Sequence, residues 1–183
     1  MTEEQIVQLI SEDESMMDLL GLAGTLGLPH WLIGAGFVRT KVWDHLHART
    51  GPSKPSDIDL VYFDEDEAFD DKQLEALLSK SRPAVKWDVK NQATAHRWNG
   101  EPACSSVVEA LSRWPETATA VGVTMDGGHL KFVAPHGIAD LVGLIVRPTP
   151  AFKMSDAKRE QVRMRFIKKR WQEKWPQLRL ELS

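Results

Sequence analysis

Asp57 and Asp59 stand one residue apart at the mouth of an apolar run, Ser56-Asp57-Ile58-Asp59-Leu60-Val61-Tyr62-Phe63. In an extended strand, residues i and i+2 point to one face, with backbones about 6–7 Å apart. Two carboxylates so placed repel each other, and burial alone gives them nothing. A positive charge between them removes the conflict. A divalent metal, or a pair of ions about 3.5–4 Å apart, is the usual occupant where phosphoryl or nucleotidyl groups are transferred. The plainer alternative is a pair of solvated acids at a strand entrance.

Upstream, Trp31-Leu32-Ile33 is a short apolar run ending in Gly34-Ala35-Gly36. Apolar residues then fall at 38, 42, 43 and 46, the spacing of one helical face. The order is strand, glycine turn, helix, loop, strand with two acids. Glycine lets a backbone approach a ligand closely. A helix start offers free N–H groups and a positive dipole end to a phosphate. Arg39 and Lys41 lie within the first turn or so and are expected to reach the same anion. Gly34, Ala35, Gly36, Arg39 and Lys41 are therefore the candidate phosphate binders.

This arrangement resembles the nucleotidyltransferase fold of the DNA polymerase β superfamily, in which a glycine motif binds the triphosphate and Asp-x-Asp on the next strand holds Mg²⁺. Within it, the chain looks most like a group of small bacterial nucleotidyltransferase family proteins. The matching pieces are Gly34-Ala35-Gly36 with Val42-Trp43-Asp44, Ser56 to Asp64, Trp87 to Ala93 with His96, Trp114 to Gly122, Ala134 to Leu141, Arg147 to Pro150, and Trp175-Pro176. The likeness runs over roughly residues 30 to 180. Two departures stand out. The superfamily's commoner motif is Gly-Ser, whose hydroxyl contacts phosphate, whereas Ala35-Gly36 has none. The interval from Gly36 to Asp57 is also longer than in the minimal enzymes.

The resemblance implies an α/β (α+β) fold, a mixed sheet flanked by helices with helical N- and C-terminal extensions. It implies transfer of a nucleoside monophosphate from a nucleoside triphosphate such as ATP to a hydroxyl acceptor, with Mg²⁺ (or Mn²⁺) as cofactor. The acceptor stays open among a small molecule, a protein side chain and RNA. The superfamily usually needs a third carboxylate on a neighbouring strand, as metal ligand and base. Asp88 is the candidate, because Val85-Lys86-Trp87-Asp88-Val89-Lys90 alternates as a strand with Asp88 on its polar face. That face also reads as a solvated strand edge. Asn91, Gln92 and His96 follow directly, as binders of base or sugar or as a helix start.

A chain of 183 residues with 42% hydrophobic residues is expected to form a single domain, 1–183. A chain of this length buries about 70% of its unfolded surface and needs no disulfide to fold. Its single cysteine, Cys104, excludes an internal disulfide and suits a reducing compartment. No secretory signal and no membrane-spanning run is visible, so a cytoplasmic protein without a membrane partner is expected.

The net charge of −3 hides a polarity along the chain. Residues 1–38 carry no Lys or Arg and six acids; residues 153–179 carry ten basic residues against three acidic ones, a net of +7. Either the two ends dock, or the basic end attracts an anion. Residues 1–28 read as a helical extension and 153–183 as a basic terminal helix. Val162, Phe166, Ile167 and Trp171 would form its buried stripe, with the cations solvated. Ser155 is its expected N-cap.

Further helices are expected over 3–27 (one or two), 66–80, 104–113 and 137–145. Strands are expected at 31–33, 57–63 and 85–90. A hairpin joins 117–125 to 129–133 through Asp126-Gly127-Gly128. The loop 50–56 reads as a substrate gate or a plain connector. Two other functions compete with transfer. One is a degenerate module that binds nucleotide or a partner without catalysis; the other is an RNA-binding protein using the basic terminal helix.

Overall fold

Thr2 opens the first helix with a reciprocal cap. Its hydroxyl accepts from the Gln5 N–H, and the Gln5 side chain accepts from the Thr2 N–H. A second cap, Asp13, accepts from the Met16 N–H and starts a new helix. The apolar stretch near the N-terminus is therefore two helices, α1 (Glu3–Ser11) and α2 (Glu14–Gly24). The computed structural model describes residues 1–183.

Next come β1 (Leu32–Gly34), α3 (Gly36–Leu46), β2 (Ile58–Tyr62), α4 (Asp71–Ser81) and β3 (Trp87–Asn91). Two short helices, α5 (His96–Asn99) and α6 (Val107–Ser112), lead to the hairpin of β4 (Gly122–Asp126) and β5 (His129–Val133). The chain closes with α7 (Ala139–Val142), β6 (Ile145–Val146), α8 (Pro150–Lys153), α9 (Asp156–Lys168), α10 (Trp171–Lys174) and β7 (Arg179–Leu180).

Five strands form a mixed sheet in the order β3-β2-β1-β4-β5, in which only β2 and β3 run parallel. The fold is thus mixed α/β, as expected. Ile58, Leu60, Tyr62, Trp87 and Val89 point into the larger core. The opposite face of β2 carries Val61, with Phe63 just past the end of the strand, into a smaller cluster with Leu32, Val107 and Leu111. Asp59 shares that second face by strand alternation, one step short of the cover that α6 provides.

Both ends of the chain enter the larger core. Ile6, Ile10 and Leu20 are fully buried there, as are Val162, Trp171, Trp175 and Leu178 to within a few per cent. The acidic and basic ends do not pair with each other: Asp13 binds Lys41 at 2.6 Å and Asp18 binds Arg82 at 2.5 Å.

Several boundaries differ from the sequence reading. The helix expected from 66 starts at 71, because Asp70 caps Gln73 and the Asp64 carboxylate holds the Asp66 and Ala68 N–H groups in a turn. The helix near 104 begins after Ser106, whose hydroxyl accepts from Glu109 N–H. Residues 117–121 form a turn closed by the Glu116 carbonyl, so the first hairpin strand starts at Gly122. Ser155 does cap α9, but the terminal helix breaks at Arg170, which adopts a left-handed conformation (φ 52°). That break turns Trp171 and Trp175 inward and leaves Ile167 53% exposed, where a buried residue was expected.

Candidate functional site

The sheet register builds the site in one row. Gly34 lies opposite Asp59 on one side and Gly122 on the other, and Asp59 lies opposite Asp88 on parallel β3. Asp57 precedes the strand by one residue and accepts a hydrogen bond from the Ser56 hydroxyl at 2.7 Å. All three acids line one cavity of about 950 Å³. The same cavity is lined by Ala35, Gly36, Arg39 and Thr40 from the α3 start. Its far wall is basic and comes from the chain terminus: Arg165, Lys168, Lys169, Arg170 and Lys174.

Burial, then the charges of Asp57 and Asp88, push the Asp59 carboxyl up to about 6, against the pull of Arg39 and Lys169. Facing it, Lys169 is lowered by burial and by the nearby charges of Arg165 and Arg39, and held up by Asp57 and Asp59. The acids thus crowd each other and look across at cations. No three acidic, His or Cys side chains converge into a ready-made metal cage. The donor set nevertheless fits a hard divalent ion: oxygen ligands only, a repelling pair, and an open cavity beside them for further oxygens from a substrate.

Glycine at 34 and 36 has two different causes. A Cβ at 34 would stand 2.8 Å from the Trp114 ring, so glycine here lets that ring approach the strand closely. Gly36 faces the cavity, beside Pro55 and the Arg39 guanidinium. Ala35 sits between them at φ 51°, a left-handed value that strains a residue with a Cβ. Its N–H donates to the Val121 carbonyl at 3.0 Å, which fixes the turn to β4. The hydroxyl missing from the glycine motif is available one turn later, from cavity-lining Thr40.

Arg39 is 6% exposed. It donates to the Thr119 hydroxyl at 2.6 Å, and its guanidinium lies 4.4 Å from the Trp171 ring and 5.1 Å from the Trp43 ring. Burial lowers its pKa to about 10, with Glu116, Asp59 and Asp57 opposing. Its Nε is buried without a partner, while the side chain as a whole lines the cavity. Beneath it, fully buried Glu116 accepts from Arg165 Nε at 2.7 Å.

Lys41 is a correction: it pairs with Asp13 and does not line the cavity. Residues 39 and 41 are about 200° apart around a helix, so both cannot face one anion. Gly34 is likewise outside the cavity lining. Asn91 is a fold residue: its side chain donates to the Asp64 carbonyl and accepts from the Asp64 and Ala93 N–H groups. Gln92 and His96 line a separate, smaller cavity of about 100 Å³.

The nucleotidyltransferase family model NTP_transf_6 matches residues 22–180. The chain belongs to this nucleotidyltransferase family. A solved structure of a CCA-adding enzyme head domain is 31% identical, with a TM-score of 0.87, and the match covers 100% of this chain and 97% of that one. The Thermotoga maritima CCA-adding enzyme complexed with tRNA is 18% identical at a TM-score of 0.62, over 97% of this chain and 42% of that longer one. A CCA-adding enzyme with CTP is 19% identical at 0.57, over 95% and 41%. No curated protein matches the sequence.

In this nucleotidyltransferase the sequence reading missed several lining residues: Thr40, Thr119, Arg165 and the tryptophans at 114, 171 and 175. Arg165, Lys168, Lys169 and Arg170 had a visible signal, the basic run. Its place at the acids did not follow from pattern, because it depends on the unexpected break at Arg170. Thr119 and Glu116 lie in a matching piece of the family resemblance, Trp114 to Gly122, but nothing in their spacing assigned them to the site.

Proposed function

We propose that the protein is a metal-dependent nucleotidyltransferase that moves a nucleoside monophosphate from a nucleoside triphosphate to a hydroxyl acceptor. The observation that carries this reading is the single row of Asp59 and Asp88, with Asp57 beside it, facing cations across one cavity. Asp57 and Asp59, with Asp88 as the third acid, would hold Mg²⁺ or Mn²⁺. When bound, such an ion supplies Lewis-acid polarisation of phosphate oxygens.

The remaining roles belong to the chain. Gly36 and the Thr40 hydroxyl bind phosphate oxygens at the start of α3. Arg39 and Lys169 neutralise charge on the departing pyrophosphate. Asp88 accepts the proton of the attacking hydroxyl. Lys90 lies 3.3 Å from Asp88 and keeps that carboxylate oriented. The whole chain, 1–183, works as one catalytic unit, since both ends pack into the core that supports the sheet. The compartment is the cytoplasm, where nucleoside triphosphates and Mg²⁺ abound; no helix is long and apolar enough to cross a membrane.

A nucleotide-binding module without catalysis is the second reading. The strained Ala35 and the lack of a motif hydroxyl favour it. The separating experiment follows nucleoside triphosphate labelled at the α-phosphate in a cell extract with Mg²⁺. Wild type is expected to pass label to a macromolecule or small product, and Asp59→Ala to pass none. Nucleotide binding without transfer to any product would leave the binding module standing.

A further inference from the structure

Asp44 lies outside the cavity, yet it touches both of its flanks. It is 7% exposed on α3. One oxygen accepts from the Ser53 N–H at 2.6 Å, and the other from the Ser53 hydroxyl at 2.8 Å and the Trp175 indole N–H at 2.7 Å. Arg49 adds a cation at 3.5 Å and donates to the Lys174 carbonyl at 2.9 Å. On the Ser53 side, the loop carries Lys54, Ser56 and Asp57 into the cavity wall. On the Trp175 side, α10 and the turn before it carry Lys169, Arg170 and Lys174. One buried carboxylate therefore joins the acid-bearing loop to the basic wall.

We propose that Asp44 is a positioning residue that fixes these two flanks relative to each other, so that the polyphosphate site is complete only while its carboxylate bridges Ser53 and Trp175. This rests on the nucleotide reading above. A buried carboxylate spent on three neutral donors and one half-exposed arginine is costly unless all are held. A polar anchor for the loop alone would need only the Ser53 contacts. The indole bond from a residue 131 positions away is what couples loop to wall. An anion drawn to Lys169 and Lys174 then also stabilises the Asp57 loop, with Asp44 as the link.

The test uses the full chain and three variants. Asp44→Asn replaces one acceptor oxygen by a donor at equal size. Trp175→Phe keeps an aromatic ring beside Trp43, 5.1 Å away, and deletes the indole N–H together with part of the bicycle. Ser53→Ala deletes the hydroxyl. Hydrogen exchange is read in the free protein at the Ser53 amide, the Trp175 indole and the Gln177 amide, which follows Trp175 by two residues and donates to His47 Nε2 at 3.3 Å. Binding of ATP, CTP, GTP and UTP with Mg²⁺ is read by calorimetry well below the melting temperature. Asp44→Asn is expected to speed exchange at all three probes and to weaken nucleotide binding roughly tenfold. Trp175→Phe, on the far flank, is expected to speed exchange of the Ser53 amide, and Ser53→Ala that of the Trp175 indole. Wild-type Ser53 exchange in folded Trp175→Phe would overturn the coupling, whether or not Asp44→Asn folds. So would nucleotide affinity within about twofold of wild type in folded Asp44→Asn. If wild type binds no nucleotide, the function reading fails, and the exchange data alone decide the bridge.

Discussion

Asp59 carries an ionisation conflict that the free protein does not resolve. Its carboxyl titrates at about 6 in the fold, against an ordinary 3.8. The folded protein therefore holds this proton more tightly than the unfolded chain. The group's contribution to stability is fully favourable below pH ~4, falls as pH rises through the interval to ~6, and is lost above it. Asp59→Asn removes that penalty. Denaturant unfolding at pH 7.5 should show the variant more stable than wild type by about 1–2 kcal/mol, after allowance for solvent screening. The gap should close at pH 4.5; a variant less stable than wild type at pH 7.5 would contradict the crowding of the three acids. Ala35 makes a second prediction. Its positive φ costs of order 1–3 kcal/mol, and glycine would remove this at some cost in unfolded-state entropy. Ala35→Gly should raise the unfolding free energy by about 0.5–1 kcal/mol net; a loss would show that the turn is not strained. Among single residues, Asp57, Asp59 and Gly36 were legible because strand period and turn chemistry are local. Lys41 was misjudged because sequence nearness to Arg39 hid the angle around α3.

The element that turns a sheet edge into a pocket is the terminal helical segment. Its helix and N-cap were legible from Ser155 and the run of charges. The break at Arg170 was not, since no glycine marks it and the left-handed residue is an arginine. Packing decides there: Trp171 and Trp175 meet Trp43 edge-on at 5.6 and 5.1 Å, and a straight continuation of α9 would turn both away from the face that buries Val162 and Phe166. The parallel pair β6–β7 was missed for a similar reason, as two-residue strands have no period to read. The consequence is testable. Lys169→Met should weaken triphosphate binding by about five- to tenfold, with a shallower salt dependence, because a charge facing the acids is lost. Lys41→Met, on the opposite face of α3, should leave binding unchanged and cost under about 1 kcal/mol of stability, since it loses one partly exposed ion pair. Equal effects of the two on binding would mean that the basic wall has no special place.

Across the whole molecule, the charge polarity of the sequence resolves into two separate jobs. The acidic first helices hold the back of the fold, through Lys41 and Arg82. The basic terminus packs its tryptophans into the same core and presents its cations to the acids. Composition foretold the polarity; only the three-dimensional structure shows that the charges of the two ends, which share one core, do not pair with each other. Nucleotide binding through a divalent ion held by Asp57 and Asp59 is the property on which the proposed transfer depends. Its most direct test is calorimetric titration of nucleoside triphosphate into wild type, Asp57→Ala and Asp59→Ala, each in Mn²⁺ and in EDTA. Saturable binding only for wild type in Mn²⁺ is the predicted result; equal affinity in EDTA, or undiminished affinity in both variants, would contradict it.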